Sequence, residues 1–137
     1  MRSRKSAEPR SRVHGTTPLT RSRQDYLKAL YDLGRGGLPI STSLLARRVA
    51  VSAPSVTNML GRLSAEGLVR HAPRAGARLT ASGERAALAV LRRHRLLETF
   101  LVRVLALDWS AAHEEAEVLE HGVSDRVSLL FKGIHNR

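Results

Sequence analysis

The stretch STSLLARRVAVSAPSVTNMLGRLSAEGLVR, residues 41–70, decides the fold. Ser41 is placed to cap a short helix whose apolar side is Leu44, Leu45 and Val49. Ser52 caps a second helix with Pro54 inside its first turn, where a missing N–H leaves no hydrogen bond unmade. In that second helix Val56, Met59, Leu60 and Leu63 follow the i, i+3, i+4, i+7 spacing of one buried face, and Gly67 ends it. Two helices joined by a tight turn at residues 50–52 have the layout of a helix-turn-helix.

The flanks extend this unit in both directions. Upstream, Tyr26, Leu27, Leu30 and Leu33 fall at helical spacing over residues 21–33, with Thr20 as N-cap and Gly34 as stop. Downstream, residues 68–71 and 77–79 read as two brief strands around the polar turn Pro73, Arg74, Ala75 and Gly76, the hairpin of a winged helix. Thr80 then caps a long helix over residues 81–105, Asp108 precedes another over 109–121 ended by Gly122, and Ser124 caps a last one to about residue 132. The fold class is mainly α. A disordered basic arm over residues 1–19 leads into a winged helix-turn-helix DNA-binding domain over 20–82, and a helical domain follows over 83–137.

Composition narrows the function. With 137 residues, 42% apolar and only 4% aromatic, the chain suits one ordinary aliphatic core and not a large multidomain enzyme. Lysine and arginine number 23 against 12 acids, a net charge of +11 that favours a polyanionic partner, nucleic acid before an anionic membrane. The charge is uneven: residues 28–95 hold twelve basic and three acidic side chains, residues 96–137 four basic and seven acidic. The two parts are therefore expected to do different work. The absence of cysteine excludes disulfides, thiolate metal sites and cysteine nucleophiles and suits a cytoplasmic setting. No apolar run reaches the ~18 residues of a membrane span, and the arginine- and serine-rich start has no apolar segment of a secretory signal.

The second helix of the motif is the one expected in the major groove of double-stranded DNA, with its N-terminal residues on base edges. Ser52 and Pro54 begin it, and Ser55, Thr57, Asn58 and Arg62 are its outward positions; an asparagine such as Asn58 can pair bidentately with adenine. Arg47 and Arg48 on the helix before, and Arg74 and Arg78 on the wing, are placed to meet phosphates, a sequence-independent and salt-sensitive attraction. A solvated charged face is the plainer reading of any one of these arginines.

The acidic part carries a different pattern. His113, Glu117, Glu120 and His121 stand at i, i+4, i+7 and i+8, and His94 and Glu98 at i, i+4 on the preceding helix, so each set projects from one helix face. Imidazoles with carboxylates and no thiolate suit a divalent first-row ion, manganese or iron before copper(I) or structural zinc. Either set alone also fits a solvated acidic face or a core histidine. His113-Glu114 opens like the H-E-x-x-H motif of zinc proteases, but position 117 is glutamate and the motif fails. No nucleophile motif and no glycine-rich phosphate loop is present, so neither an enzyme nor a small-molecule substrate is expected. A metal-independent winged-helix regulator is the alternative reading.

The order of parts, VSAPSVTNML at 51–60, EGLV at 66–69, LTASG at 79–83, RHRLLE at 93–98 and HEEAEVLEHGVSD at 113–125, resembles the diphtheria-toxin-repressor family of metal-dependent transcriptional regulators over about residues 20–133. The resemblance implies that residues 83–137 form a metal-binding and dimerisation domain. It implies a homodimer that binds a palindromic operator when Mn²⁺, or alternatively Fe²⁺, is bound, and that represses metal-uptake genes. It places the primary ligands at Asp25, Glu117, Glu120 and His121 and ancillary ones at His94, Glu98 and His113. Asp25 and Glu117 match the manganese-sensing type, where the iron-sensing branch carries methionine and cysteine. Two departures stand out. Lys28 occupies a position where the short manganese regulators have a glutamate ligand, and the sequence reaches Arg137 without the SH3-like third domain of the longer members, which leaves the second site with fewer ligands. Mutual repulsion among Asp25, Glu98, Glu117 and Glu120 without metal would leave the first helix mobile, and metal would fix it.

Overall fold

A computed structural model describes residues 20–135 and gives the order α1 (Arg21–Leu33), a 3₁₀ turn (Gly34–Gly36), α2 (Thr42–Val49), α3 (Ala53–Ala65), β1 (Val69–Ala72), β2 (Gly76–Leu79), α4 (Ala81–Arg103), α5 (Trp109–Leu119) and α6 (Asp125–His135). The basic arm expected over residues 1–19 lies outside the described residues.

Each early helix begins where a side-chain oxygen takes up an orphan backbone N–H. Thr20 accepts from Arg23, Ser41 from Leu44, Ser52 from Ser55, Thr80 from Gly83 and Asp108 from Ala111. Between α2 and α3 the turn rests on Ala50, whose φ of 57° and ψ of 46° place a residue with a Cβ in the left-handed region. The wing is one antiparallel hairpin in which Val69 faces Leu79 and Arg70 faces Arg78. It is shifted by a residue from the sequence reading: β1 starts at Val69 and Gly76 belongs to β2, because the turn closes on Arg74 and Gly76, both at positive φ. An isolated bridge from Ile40 to Ala77 adds a third short edge that no alternation in the sequence announces.

One core joins Tyr26, Ala29 and Leu30 of α1 to Leu45 of α2, to Val56, Leu60 and Leu63 of α3, and to Ile40, Val69 and Ala77 at the hairpin. A second joins Leu97 and Leu101 of α4 to Ala112 and Ala116 of α5, with Phe100 against Phe131 of α6 at 4.8 Å between ring centres. The 23-residue α4 packs on α1, which belongs to the first core, and on α5 and α6, which belong to the second. Its start is stitched to the wing: the Thr80 hydroxyl donates to the Gly67 carbonyl at 2.6 Å, the Thr80 N–H donates to the Leu68 carbonyl at 3.0 Å, and Gly83 lies so close that a Cβ there would meet that carbonyl oxygen at 1.9 Å.

Two substitutions of opposite sign test these contacts. Gly83→Ala must push α4 off the wing and is expected to cost about 3 kcal/mol of stability. Ala50→Gly relieves the left-handed strain and is expected to stabilise by about 1 kcal/mol. Thermal melts of both variants check this; a Gly83→Ala protein that melts with the parent would contradict the packing.

Candidate metal centre and nucleic-acid face

The polar side of α1 carries Asp25, Lys28 and Asp32 at i, i+3 and i+7, opposite the side that enters the first core. These three, with Arg48, His94, His113 and Glu117, border one cavity between α1, α2, α4 and α5. Helix α5 stops at Leu119, two residues short of the sequence expectation; Glu120 is its C-cap and His121 lies in the turn closed by the Gly122 N–H on the Leu119 carbonyl. Glu120 keeps a helical backbone, with its N–H on the Ala116 carbonyl at 2.9 Å, and the four residues read as one face divide by the neighbours they meet. His113 meets Glu98 of α4, Glu120 meets both His94 of α4 and Lys28 of α1, and His121 meets Gln24 and Asp25 of α1.

Two clusters result. Asp25, Glu120 and His121 form one, and His94, Glu98 and His113 the other, each offering ligand atoms within 4.8 Å of one another. In the first, the Gln24 carbonyl oxygen can only accept, so His121 Nδ1 carries the proton it donates at 2.7 Å. The Nε2 lone pair of His121 then faces Asp25 Oδ1 at 3.2 Å and Glu120 Oε1 at 3.4 Å. Burial leads in lowering the His121 pKa, ahead of the raising effect of Asp25 and Glu120. One imidazole nitrogen and two carboxylate oxygens thus lie within 4.8 Å of one another. That arrangement fits a divalent ion.

In the second cluster His94 lies between two carboxylates. Its Nδ1 donates to Glu120 Oε2 at 2.6 Å and its Nε2 to Glu98 Oε2 at 2.7 Å, and the hydrogen bond to Glu120 leads in raising its pKa, against burial. His113 Nδ1 also donates to Glu98, at 3.0 Å. Burial pulls the Glu98 carboxyl upward, but hydrogen bonds from His113 and His94 leave it below the ordinary value. Glu117 is not drawn into either cluster; it is exposed and approaches His113 Nε2 at 3.4 Å on the cavity rim.

Glu120 joins the clusters. It is 0% exposed, and its Oε1 accepts from Lys28 Nζ at 2.5 Å while Oε2 accepts from His94. Burial would raise its pKa, but hydrogen bonds from His94 and Lys28 and the lysine charge outweigh it, so the carboxyl sits below the usual range. The repulsion expected among the carboxylates is therefore offset by the chain itself. Lys28, which the resemblance places at a ligand position, is here paired with Glu120, and Gln24 is a partner of His121 that the sequence reading missed. Gln24 is only 5% exposed, and its signal in the sequence is a polar residue at a position that faces inward with Tyr26 and Leu27 on α1.

On the DNA-reading face, Arg47, Ser52, Pro54, Ser55, Thr57, Asn58, Arg62, Arg74 and Arg78 are all exposed. Several have local duties: Ser52 Oγ caps α3 and lies 2.8 Å from Ser55 Oγ, and the Thr57 hydroxyl donates to the Ala53 carbonyl at 3.2 Å. Arg48 is exposed as well and pairs with Asp32 of α1 at 3.1 Å. The wing adds a residue the sequence reading missed. Arg70 stands directly across from Arg78, both exposed, and like charges in that register are destabilising without an anion.

A winged helix-turn-helix with a histidine and carboxylate centre at its junction to a second helical unit is the class of protein these features define. Residues 18–77 match the family model "Iron dependent repressor, N-terminal DNA binding domain", and residues 80–128 match "Iron dependent repressor, metal binding and dimerisation domain". The chain belongs to the iron-dependent repressor family. It is 38% identical over 112 residues to the iron-dependent repressor IdeR of Mycobacterium leprae, covering 81% of this chain and 49% of that one. It is 36% identical over 110 residues to an uncharacterised helix-turn-helix transcriptional regulator of Methanocaldococcus jannaschii, covering 80% and 88%. A solved structure of a manganese-dependent transcriptional repressor in complex with manganese is similar at 46% identity and a TM-score of 0.71, covering 81% of this chain and 51% of that one, and the manganese regulator SloR at 40% and 0.72, covering 86% and 55%. The chain spans about half the length of the first curated relatives it matches.

Replacing Gln24 by Leu keeps the size of the side chain and removes the acceptor that fixes the His121 ring. The expected outcome is Mn²⁺ affinity about 10- to 100-fold weaker, read by calorimetric titration alongside a melt that confirms the fold; unchanged affinity would contradict the assigned ring orientation.

Proposed function

We propose that this protein is a manganese-responsive, or alternatively iron-responsive, DNA-binding transcriptional regulator that represses metal-uptake genes as a metal-loaded dimer on a palindromic operator. The observation that carries it is the approach of His121 Nε2 to Asp25 Oδ1 at 3.2 Å and Glu120 Oε1 at 3.4 Å at the end of α5, which supports a cation site across the joint between α1 and the C-terminal helices. Asp25, Glu120 and His121 would hold the ion, with Glu117 supplying a further carboxylate from the rim, and His94, Glu98 and His113 would form an ancillary set. The absence of thiolate and thioether ligands among them favours manganese. Bound there, the ion supplies positive charge that draws carboxylates of two elements together.

The rest follows from the chain's own packing. α1 shares a core with α2 and α3, so fixing its polar side to α4 and α5 fixes the orientation of the DNA-reading helix. Ser52, Pro54, Ser55, Thr57, Asn58 and Arg62 would face the major groove, while Arg47, Arg70, Arg74 and Arg78 would meet phosphates. We place the boundary between the DNA-binding and helical domains at residues 82 and 83, within the first turn of α4. No helix among the described residues is long and apolar enough to cross a membrane, and a cytoplasmic regulator without catalytic activity is the accompanying reading.

A dimer is supported by apolar surface. Leu105 is 57% and Trp109 62% exposed at the α4–α5 turn, and Val118, Leu119, Val127, Leu129 and Leu130 are exposed on α5 and α6, whereas Val123 and Phe131 pack inward on the second core. Such a surface suits a two-fold pairing of helical domains.

Electrophoretic retardation of a duplex from the promoter region of the protein's own gene is expected with Mn²⁺ and to be lost in chelator. Glu120→Gln should abolish the metal stimulation, with a melt in saturating Mn²⁺ confirming that the variant is folded. A wild-type shift indifferent to Mn²⁺ would instead support a metal-independent regulator. For the dimer, Leu105→Glu with Trp109→Glu is expected to halve the mass measured by sedimentation; a wild type that sediments as a monomer with Mn²⁺ present would overturn the dimeric reading.

A further inference from the structure

The two oxygens of Glu120 have different surroundings. Oε2 belongs to His94, at 2.6 Å, and faces the ancillary cluster. Oε1 is the atom that approaches His121 Nε2, at 3.4 Å, and is therefore the oxygen on the side of Asp25 and His121. It is also the oxygen held by Lys28 Nζ at 2.5 Å. One carboxylate oxygen is thus the natural donor to two cations, one of them built into α1.

From this geometry we infer that Lys28 is a tethered competitor of the metal ion for Glu120 Oε1, and that it sets the threshold at which the centre loads. The inference rests on the metal-centre reading given above. Three observations support it. Glu120 is fully buried, so an ionised carboxylate there needs a counter-charge whether or not metal is present, and Lys28 supplies it across 92 residues of sequence. The lysine stem rises from α1 one turn after Asp25, so the ammonium and the Asp25 carboxylate reach the same cavity, which His94, His113 and Glu117 also border. The ammonium is a flexible point charge on four carbons, able to swing off Oε1 into that cavity without moving the helix. Loading therefore exchanges one α1 link, Lys28 to Glu120, for another through Asp25, and the first keeps α1 docked when metal is scarce. The lysine charge near the ion also opposes a second metal in the same cavity.

The test is Mn²⁺ titration by calorimetry on the full chain for wild type, Lys28→Met and Lys28→Arg, with melts of each in chelator and in saturating Mn²⁺. Lys28→Met removes the charge and keeps the stem; it is expected to bind Mn²⁺ at least about tenfold more tightly, to melt below wild type in chelator, and to recover that loss when loaded. Lys28→Arg is expected to stay near wild type in affinity. Equal affinity in Lys28→Met and wild type, with the same drop in melting temperature in both conditions, makes Lys28 a fixed structural ion pair and overturns the proposal. Should Lys28→Met fail to fold in chelator, Lys28→Gln, which keeps a neutral donor to Glu120, carries the same expectation of tighter binding and the same refutation by unchanged affinity. A wild type that takes up no Mn²⁺ overturns the metal-centre reading and this inference together, whereas a wild type that binds while the variants match it overturns this inference alone.

Discussion

A carboxylate with no exposed surface sits where three elements meet, and the arrangement of the molecule turns on how it is neutralised. Leaving an ionised carboxylate buried and unpaired costs several kcal/mol, by general estimates about 3–5 when one partner of a pair is removed. Glu120 meets that cost with Lys28 from α1 and His94 from α4, while its neighbour His121 reaches back to Gln24 and Asp25 on α1. The end of α5 is thereby joined to both helices through polar contacts that only a specific docking satisfies. Apolar packing of α4 on α5 brings these groups near one another but does not choose their register.

α1 is the element that carries this constraint to the other end of the molecule. Tyr26, Ala29 and Leu30 are buried with Leu45, Val56, Leu60 and Leu63, so α1 moves as part of the helix-turn-helix. Its opposite side holds Asp25, Lys28 and Asp32, and Asp32 also reaches Arg48 on α2 at 3.1 Å. One helix therefore presents an apolar face to the reading head and a charged face to the centre. On the proposed function, a change in what balances Glu120 is felt by α3 through a packed core and not through a loop. The wing contributes from the other side, since Thr80 and Gly83 clamp the start of α4 to the exit of α3.

The helices and the helix-turn-helix were legible in the sequence because their signals are local. Thr20, Ser41, Ser52, Thr80 and Asp108 all cap as their residue types suggest, and Gly34 and Gly67 mark the two exits. Histidine and carboxylate spacing singled out His94 with Glu98, and His113 with Glu117, Glu120 and His121; the division between a set with Asp25, Glu117, Glu120 and His121 and a set with His94, Glu98 and His113 came from the family resemblance, and the structure brings all of these except Glu117 into two such clusters. Tertiary effects were not legible. Helical spacing put His113 and His121 on one face, and the sequence does not say that His113 meets Glu98 of α4 while His121 meets Gln24 of α1. Gln24 and Lys28 act across more than ninety residues, and the Arg70 to Arg78 register depends on where the hairpin turns. Of the apolar residues on the last helices, only the structure separates Val123 and Phe131, which pack inward, from Leu129 and Leu130, which do not.

The central claim, that Glu120 couples a metal centre to the DNA-reading helix through α1, has a thermodynamic signature that works in reverse. Any ion that strengthens DNA binding must itself be held more tightly when DNA is bound, by the same factor. The direct measurement is the Mn²⁺ affinity of the full chain, titrated with and without a saturating duplex that it retards. The affinity is expected to be about 5- to 150-fold higher in the presence of DNA, the range of a typical coupling. Identical affinities with and without DNA would contradict it and reduce the buried carboxylate to a structural ion pair.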